Sequence, residues 1–124
     1  MSPRSEEFLA SARDRLAGAR DLLRTGHPEA SAAIAYYAML YAARAALSEQ
    51  ELNAKTHRGT WSLFRDAFVV PGQFAESLYQ TAQDAQRLRE AGDYEAAGAS
   101  RDEAERILEA AGRFVAEIET LLGR

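Results

Sequence analysis

The feature that most constrains the fold of this sequence is a helical period in its apolar residues, interrupted at four short breaks. The breaks are TGHP (25–28), LNAKT (52–56), VPGQ (70–73) and AGDYEAAGAS (91–100). Between them, apolar side chains recur every three or four residues, and no strand-like alternation lasts for more than a few positions. The pattern predicts an all-α bundle of four main helices plus one short helix. A chain of 124 residues suits a single domain, residues 1–124.

We predict helices at about residues 5–24, 28–50, 57–69 and 74–90, and a last helix that begins at Ser100. Ser5 is expected to be the N-cap of the first helix, because a serine hydroxyl can accept a hydrogen bond from a free N–H of the first turn. At the last helix, Ser100 and Glu103 match the capping box S-x-x-E. Gly92 is expected to end the fourth helix.

The second predicted helix contains AYYAMLYAARAAL, residues 35–47, in which the only formal charge is Arg44. One face is a stripe of alanines, which lets a neighbouring helix approach closely. The other face carries rings and polar tips, at Tyr37, Tyr41, Arg44 and Ser48. A buried charge is costly unless it is paired. Arg44 therefore either pairs with a carboxylate, with Asp84 and Glu49 as candidates, or lies where its face opens onto a site.

The composition excludes several classes of function. With a net charge of −4 and an isoelectric point near 5.2, no general DNA binding is expected. There is no cysteine and there are two histidines far apart, so we predict neither a metal site nor a cofactor. His27, in a Gly-His-Pro turn, has no expected function. The N-terminal residues lack the apolar stretch of a signal peptide and no apolar run could cross a bilayer, so we expect a cytoplasmic protein without membrane contact.

The candidate site combines the polar face of the second helix with the turn Lys55-Thr56-His57-Arg58 that opens the third. A short connection brings the two segments together, and Thr56 is placed to cap a helix whose free N–H groups attract anions. We therefore predict a nucleotide or phosphate site. Its candidate residues are Tyr37, Tyr41, Arg44, Lys55, His57 and Arg58. The alternative is structural: Thr56 only caps the helix, His57 forms a hydrogen bond inside the hairpin, and the two cations are solvated.

A second cluster lies around the predicted end of the fourth helix. Its members are Asp84, Arg87, Arg89, Asp93 and Tyr94. Asp84 and Arg87 are spaced i, i+3 and can pair on one helix face. The functional interpretation is a catalytic or binding turn that uses Arg87, Asp93 and Tyr94. The structural alternative is a C-capping turn whose tyrosine packs back on the bundle.

Three segments of the sequence resemble, in order and spacing, the small bacterial and archaeal HEPN proteins. They are AYYAMLYAARAAL (35–47), KTHRGTWSLFRDAFV (55–69) and RLREAGDYEAAGASRDEAERILEAAGRFVAEIETLL (87–122). The resemblance implies an up-and-down helical bundle that usually forms a homodimer. It also implies frequent pairing with a small nucleotidyltransferase in a toxin–antitoxin module, and nucleotide or RNA as the ligand.

Many HEPN relatives are metal-independent ribonucleases, in which an arginine followed four to six residues later by a histidine supplies charge stabilisation and acid–base chemistry. This sequence departs from that pattern. Arg87 and Arg89 are followed by Asp93 and Tyr94 rather than by a histidine, and no arginine precedes His57 at that spacing. We therefore interpret the chain as a non-catalytic HEPN module. The alternative is an atypical ribonuclease toxin that uses Arg87, Asp93 and Tyr94.

Overall fold

The computed structural model describes residues 1–94 and 98–124. In these ranges the secondary structure is helical. The elements are α1 (Pro3–Arg24), α2 (Pro28–Glu49), α3 (His57–Phe64), α4 (Glu76–Tyr94) and α5 (Arg101–Leu121). A π-helical stretch, Arg65–Val69, continues α3, and the Val70 N–H donates to the Arg65 carbonyl five residues earlier (2.9 Å). The predicted all-α bundle is confirmed.

Two predicted helix boundaries are wrong. Ser5 does not cap α1, because the helix already begins at Pro3, where a missing N–H costs nothing, and the Ser2 hydroxyl accepts from the Ser5 N–H (3.1 Å). Nor does Gly92 end α4, which continues to Tyr94. A glycine inside a helix costs only about 1 kcal/mol relative to alanine and does not by itself stop the helix. Asp93 and Tyr94 therefore belong to the last turn of α4 rather than to a turn after it.

The caps predicted at the starts of α3 and α5 are confirmed. The Thr56 hydroxyl accepts from the Gly59 N–H at the start of α3 (2.9 Å). At α5, Ser100 and Glu103 form the reciprocal capping box, with both hydrogen bonds present. These caps satisfy N–H groups that have no partner inside their helices.

Helix α2 lies at the centre of the bundle, packed mainly against α1 and α5, with α3 and α4 also in contact. The alanine stripe predicted from the sequence faces this packing. Its members, Ala35, Ala38, Ala42 and Ala46, have no exposed surface. A buried polar group on the same helix is satisfied, since the Ser31 hydroxyl donates to the Ala19 carbonyl (2.7 Å). None of the helices in the described ranges is long and apolar enough to span a lipid bilayer.

An aromatic cluster ties α3 to the rest of the bundle. Phe114 of α5 contacts the rings of Trp61, Phe64 and Phe74 at centroid distances of 5.9, 5.7 and 4.6 Å. Such ring pairs add about 0.5–1.5 kcal/mol each beyond the area that they bury. The cluster therefore fixes the short α3, and with it the position of His57 at the first residue of that helix.

Candidate functional site

Arg44 is half-buried, and its contacts within residues 1–92 and 98–124 are with a hydroxyl and a ring rather than with a carboxylate. Its Nε donates to the Thr60 Oγ1 (3.3 Å), and its guanidinium carbon lies 5.8 Å from the centroid of the Tyr41 ring. The alternative that it pairs with Asp84 or Glu49 is wrong. Asp84 pairs with Arg87, and Glu49 lies beside the N-terminal amine (3.9 Å).

Tyr36 is one of two residues at this site that the sequence did not indicate as candidates; the other is Arg15 of α1. The Tyr36 ring is fully buried, and its hydroxyl is hydrogen-bonded both to the indole nitrogen of Trp61 (3.1 Å) and to Nδ1 of His57 (3.1 Å). Burial raises the pKa of the Tyr36 phenol, so the hydroxyl keeps its proton. A signal was present in the sequence: His57 and Trp61 are spaced i, i+4 and must face the same neighbour.

His57 lies between α2 and α4. Its ring meets the Tyr37 ring edge-on, with centroids 5.7 Å apart, and is half-buried. Desolvation is the main cause that lowers the pKa of His57. The positive charges of Arg89 and Arg44 lower it further, and the negative charge of Glu90 raises it. The neutral imidazole is therefore favoured at neutral pH. The hydrogen bond inside the hairpin that the structural alternative predicted for His57 is confirmed.

Arg89, rather than Arg87, is the arginine of α4 that reaches the site. Its guanidinium carbon lies 5.6 Å from the Tyr36 centroid and 5.5 Å from the Tyr37 centroid. Arg87 is exposed and pairs with Asp84 on its own helix, as the i, i+3 spacing predicted. The spacing also held the signal for Arg89, since it follows the buried Ala82 and Ala85 at intervals of three and four residues.

A guanidinium from α1 completes the arrangement. The Arg15 carbon Cζ lies 4.4 Å from the centroid of the Tyr41 ring. The Phe8 ring stacks with the same Tyr41 ring, with centroids 6.0 Å apart. We call the resulting surface the tyrosine–arginine face. It consists of Tyr36, Tyr37, Tyr41, Arg15, Arg44, Arg89 and His57. Four helices contribute to it, so it exists only in the folded bundle.

The remaining predicted residues are placed differently. Lys55 is exposed and lines a cavity of about 260 Å³ that also contacts Arg44, next to the tyrosine–arginine face. Arg58 is exposed and lines a separate groove with Arg87 and Glu90. The side chains of Asp93 and Tyr94 lie outside the described residues. His27 precedes α2 as its N-cap residue without a side-chain capping bond. Among the described residues, no group of three or more histidine, aspartate or glutamate side chains is arranged to hold a metal ion.

Comparison with known families decides the identity of the bundle. The model of the HEPN domain family matches residues 5–121. The chain belongs to the HEPN family. The resemblance drawn from the three sequence segments is thus confirmed, over α1 to α5 of this HEPN domain.

Three similar proteins are known by name. "UPF0332 protein glr0978" of Gloeobacter violaceus is 33% identical over 117 residues, which cover 93% of each chain. "Putative toxin MJ0605" of Methanocaldococcus jannaschii is 32% identical over 117 residues, 94% of this chain and 87% of the relative. "Putative toxin MJ0142" of the same organism is 26% identical over 104 residues, 83% of this chain and 71% of the relative.

The chemistry available on the tyrosine–arginine face of this HEPN domain is that of anion recognition beside rings. Guanidinium groups present N–H donors in a planar fork that matches phosphate oxygens. The half-buried rings of Tyr37 and Tyr41 offer apolar surface next to those donors.

Proposed function

We propose that this HEPN domain binds single-stranded RNA at the tyrosine–arginine face and works in a toxin–antitoxin-like system. The observation that carries the proposal is the gathering of Arg15, Arg44 and Arg89 around tyrosine rings, in a chain whose net charge is −4. A local cationic surface on an acidic protein favours a local phosphate ligand over general nucleic-acid binding. The toxin names of two relatives support the biological setting.

Single-stranded RNA fits this surface better than duplex does. Proteins that bind single strands combine a cationic track for the phosphates with aromatic rings on which unpaired bases stack. Base stacking on a ring contributes about 1–3 kcal/mol per base by alanine substitution. Tyr37 and Tyr41, with centroids 6.5 Å apart, supply two neighbouring rings, and Arg44 and Arg15 flank the second.

The test is the salt dependence of binding to a fluorescein-labelled single-stranded oligoribonucleotide, followed by anisotropy. Arg44→Ala is expected to weaken binding about tenfold and to reduce the slope of log affinity against log salt by about one phosphate contact. Arg24→Ala is the matched control: it removes the same charge from an exposed position on α1. Equal losses in the two variants, or no binding by the wild type, would contradict the proposal.

A homodimer and a nucleotidyltransferase partner belong to the same proposal, and the support for both is the HEPN relationship. Light scattering is expected to give a mass of twice 13.6 kDa. Co-expression with the adjacent nucleotidyltransferase reading frame is expected to give a complex that survives gel filtration. A monomeric mass in the free protein and separate elution of the two proteins would remove this part of the proposal without touching the RNA site.

A second candidate function is metal-independent RNA cleavage, and the observation that favours it is the position of His57. The neutral imidazole of His57 is favoured, and a neutral imidazole can act as a general base that takes a proton. The nearby guanidinium groups of Arg44 and Arg89 could stabilise the phosphate charge that develops in cleavage. In that function His57→Ala abolishes cleavage of total RNA, and Arg87→Ala, on the exposed side of α4, leaves it intact. A wild-type protein that leaves RNA uncut at high concentration would exclude cleavage.

A further inference from the structure

We infer that Tyr36 is a positioning residue that holds His57 as the neutral tautomer with its proton on Nε2, so that the imidazole donates a hydrogen bond to phosphate instead of accepting a proton. The role as a phosphate donor rests on the proposed RNA binding. The tautomer itself follows from the hydrogen-bond geometry of the free protein. It also separates the two candidate functions, because a donor imidazole serves binding and a proton acceptor serves cleavage.

The first step is a count of protons at the Tyr36 hydroxyl. The Trp61 indole nitrogen, 3.1 Å away, carries a proton and can only donate, so the Tyr36 oxygen accepts there. Arg89, whose guanidinium carbon lies 5.6 Å from the Tyr36 ring, can also only donate. The hydroxyl must therefore direct its single proton elsewhere. Nδ1 of His57, at 3.1 Å, is the acceptor that the structure places there.

Burial makes this arrangement obligatory. Tyr36 has no exposed surface, so water does not reach its hydroxyl, and a hydroxyl proton turned away from His57 would be left unsatisfied in the core. The reverse arrangement, with a proton on Nδ1 pointing at Tyr36, would bring donors from both His57 and Trp61 to one oxygen. The buried hydroxyl would then lose the acceptor for its own proton.

The second step concerns the imidazole. Since Nδ1 accepts from Tyr36, the single proton of the neutral ring lies on Nε2. The charged groups that face His57 are Arg44 of α2 and Arg89 and Glu90 of α4. Desolvation and the two arginines lower the pKa of His57, and Glu90 offsets them in part. Lys55 and Arg58, on the same segment as His57, are exposed.

The functional consequence is that the arginines and His57 contribute different interactions to one phosphate. Arg44 and Arg89 supply charge, and the Nε2–H of His57 supplies a neutral donor whose strength does not change with pH near neutrality. A general base needs an unprotonated nitrogen directed at the substrate. The unprotonated nitrogen of His57 is occupied by the Tyr36 hydroxyl, so the site is built to bind RNA rather than to cut it.

The experiment is long-range proton–nitrogen NMR on nitrogen-15-labelled full-length protein, which reports the proton occupancy of each imidazole nitrogen. In the wild type, His57 is expected to show Nε2–H alone, and its hydrogen-bonded partner, the Tyr36 hydroxyl proton, is expected to be observable. His27, exposed and without a side-chain capping bond, is the reference imidazole in the same spectrum. A proton on Nδ1 of His57 in the wild type overturns the inference.

Tyr36→Phe tests the positioning role. Without the hydroxyl, a population with a proton on Nδ1 is expected to appear and the pKa of His57 is expected to rise. RNA affinity, constant with pH in the wild type near neutrality, then increases as pH falls. An unchanged tautomer ratio and an unchanged pH profile in Tyr36→Phe overturn the inference. Trp61→Phe is the second variant: it removes the N–H that forces the Tyr36 proton towards His57, and the same mixture of tautomers is expected.

The tautomer of His57 and its role as a phosphate donor are tested by different outcomes. In one outcome, the wild type shows Nε2–H alone, Tyr36→Phe gives a mixture of tautomers, and no oligoribonucleotide binds. The proposed RNA function and the donor role are then wrong, while the positioning of His57 by Tyr36 stands. If RNA binds and the Nε2–H resonance of His57 does not shift on binding, the RNA site lies elsewhere on the face and the donor role is wrong.

Discussion

At the scale of single residues, this HEPN domain keeps a charge on an apolar helix without an ion pair to any residue that the structure describes. Arg44 is half-buried, donates to Thr60 and lies over the Tyr41 ring. The Thr60 hydroxyl donates a hydrogen bond to the Thr56 carbonyl oxygen (2.8 Å), so it can accept from Arg44 and has a partner for its own proton. A partly exposed guanidinium satisfied in this way costs far less than a buried one, and the rest of its donors remain for a ligand.

His57 makes folding stability depend on pH in a defined window. Its pKa is lowered in the folded state from the ordinary value of 6.5, so the unfolded chain takes up the proton first as pH falls. The stability that the neutral His57 contributes is fully present above pH 6.5, and it is lost as pH falls from 6.5 through the lower pKa of the folded state. The urea midpoint of the wild type is therefore expected to fall between about pH 7.5 and pH 5.5. His57→Gln is expected to flatten this dependence.

His27→Gln is the matched control, since His27 is exposed, and it is expected to keep the wild-type slope. The carboxylates with lowered pKa, Glu49 and Glu103, lose their contribution only as pH falls below their ordinary value of 4.5, outside this window. If the urea midpoints of the wild type and His57→Gln change in parallel with pH, the imidazole of His57 is not held in the desolvated, cationic environment that lowers its pKa.

At the scale of elements, α3 is the helix on which the site depends most. Eight residues are too few for a helix to be stable alone, so its caps and contacts decide whether it forms. Thr56 caps its start and the aromatic cluster anchors its far end. Gly59 belongs to the cap, because a Cβ at that position would lie 2.8 Å from the Thr56 Oγ1. The Lys-Thr-His-x-Gly turn is thus a capping structure that also places His57.

Thr56→Ala is expected to lower the free energy of unfolding by about 1 kcal/mol, because the Gly59 N–H loses its acceptor. Urea denaturation followed by circular dichroism measures it. Thr56→Ser keeps the hydroxyl and is expected to stay close to the wild type. If serine and alanine at this position destabilise equally, the hydroxyl is not acting as a cap.

At the scale of the whole molecule, the alanine stripe of α2 sets how closely the bundle packs. The alanines let α1 and α5 approach the central helix. Large side chains of α2 itself fill the core together with those of these neighbours: Tyr36, Met39 and Leu40 from α2, and Leu9, Leu16, Phe114 and Ile118 from α1 and α5. Interiors packed at this density have no room for added methylene groups. On the tyrosine side of α2, Tyr37 meets His57 of α3 and Arg89 of α4, and Tyr41 meets Arg15 of α1.

Ala42→Leu is therefore expected to destabilise the domain by about 1–3 kcal/mol through overpacking, measured as a shift in the urea midpoint. Ala33→Leu, at a half-buried position on the same helix, is the control and is expected to have a smaller effect. A larger loss at position 33 than at position 42 would contradict the central position of the alanine stripe.

Most of the fold could be predicted from the sequence, because its determinants are local. The three- and four-residue spacing of apolar side chains specified the helices, and the capping residues Thr56 and Ser100 specified two of their starts. The boundary errors at Ser5 and Gly92 arose where more than one local signal was available: Ser2 and Pro3 began α1 earlier, and the cost of a glycine was too small to stop α4.

The sequence by itself determined the helical class, the apolar and polar sides of α2, and the proximity of its polar side to the Lys55–Arg58 turn. Only the tertiary structure decided that Tyr36 faces His57 and Trp61, and that Arg89 lies against Tyr36 and Tyr37 of α2. The apolar spacing along α4 places Arg89 rather than Arg87 next to the inward face, but a local period cannot tell which distant helix that face meets. That depends on the rotation of α2, α3 and α4 against one another, which the packing of the whole core sets.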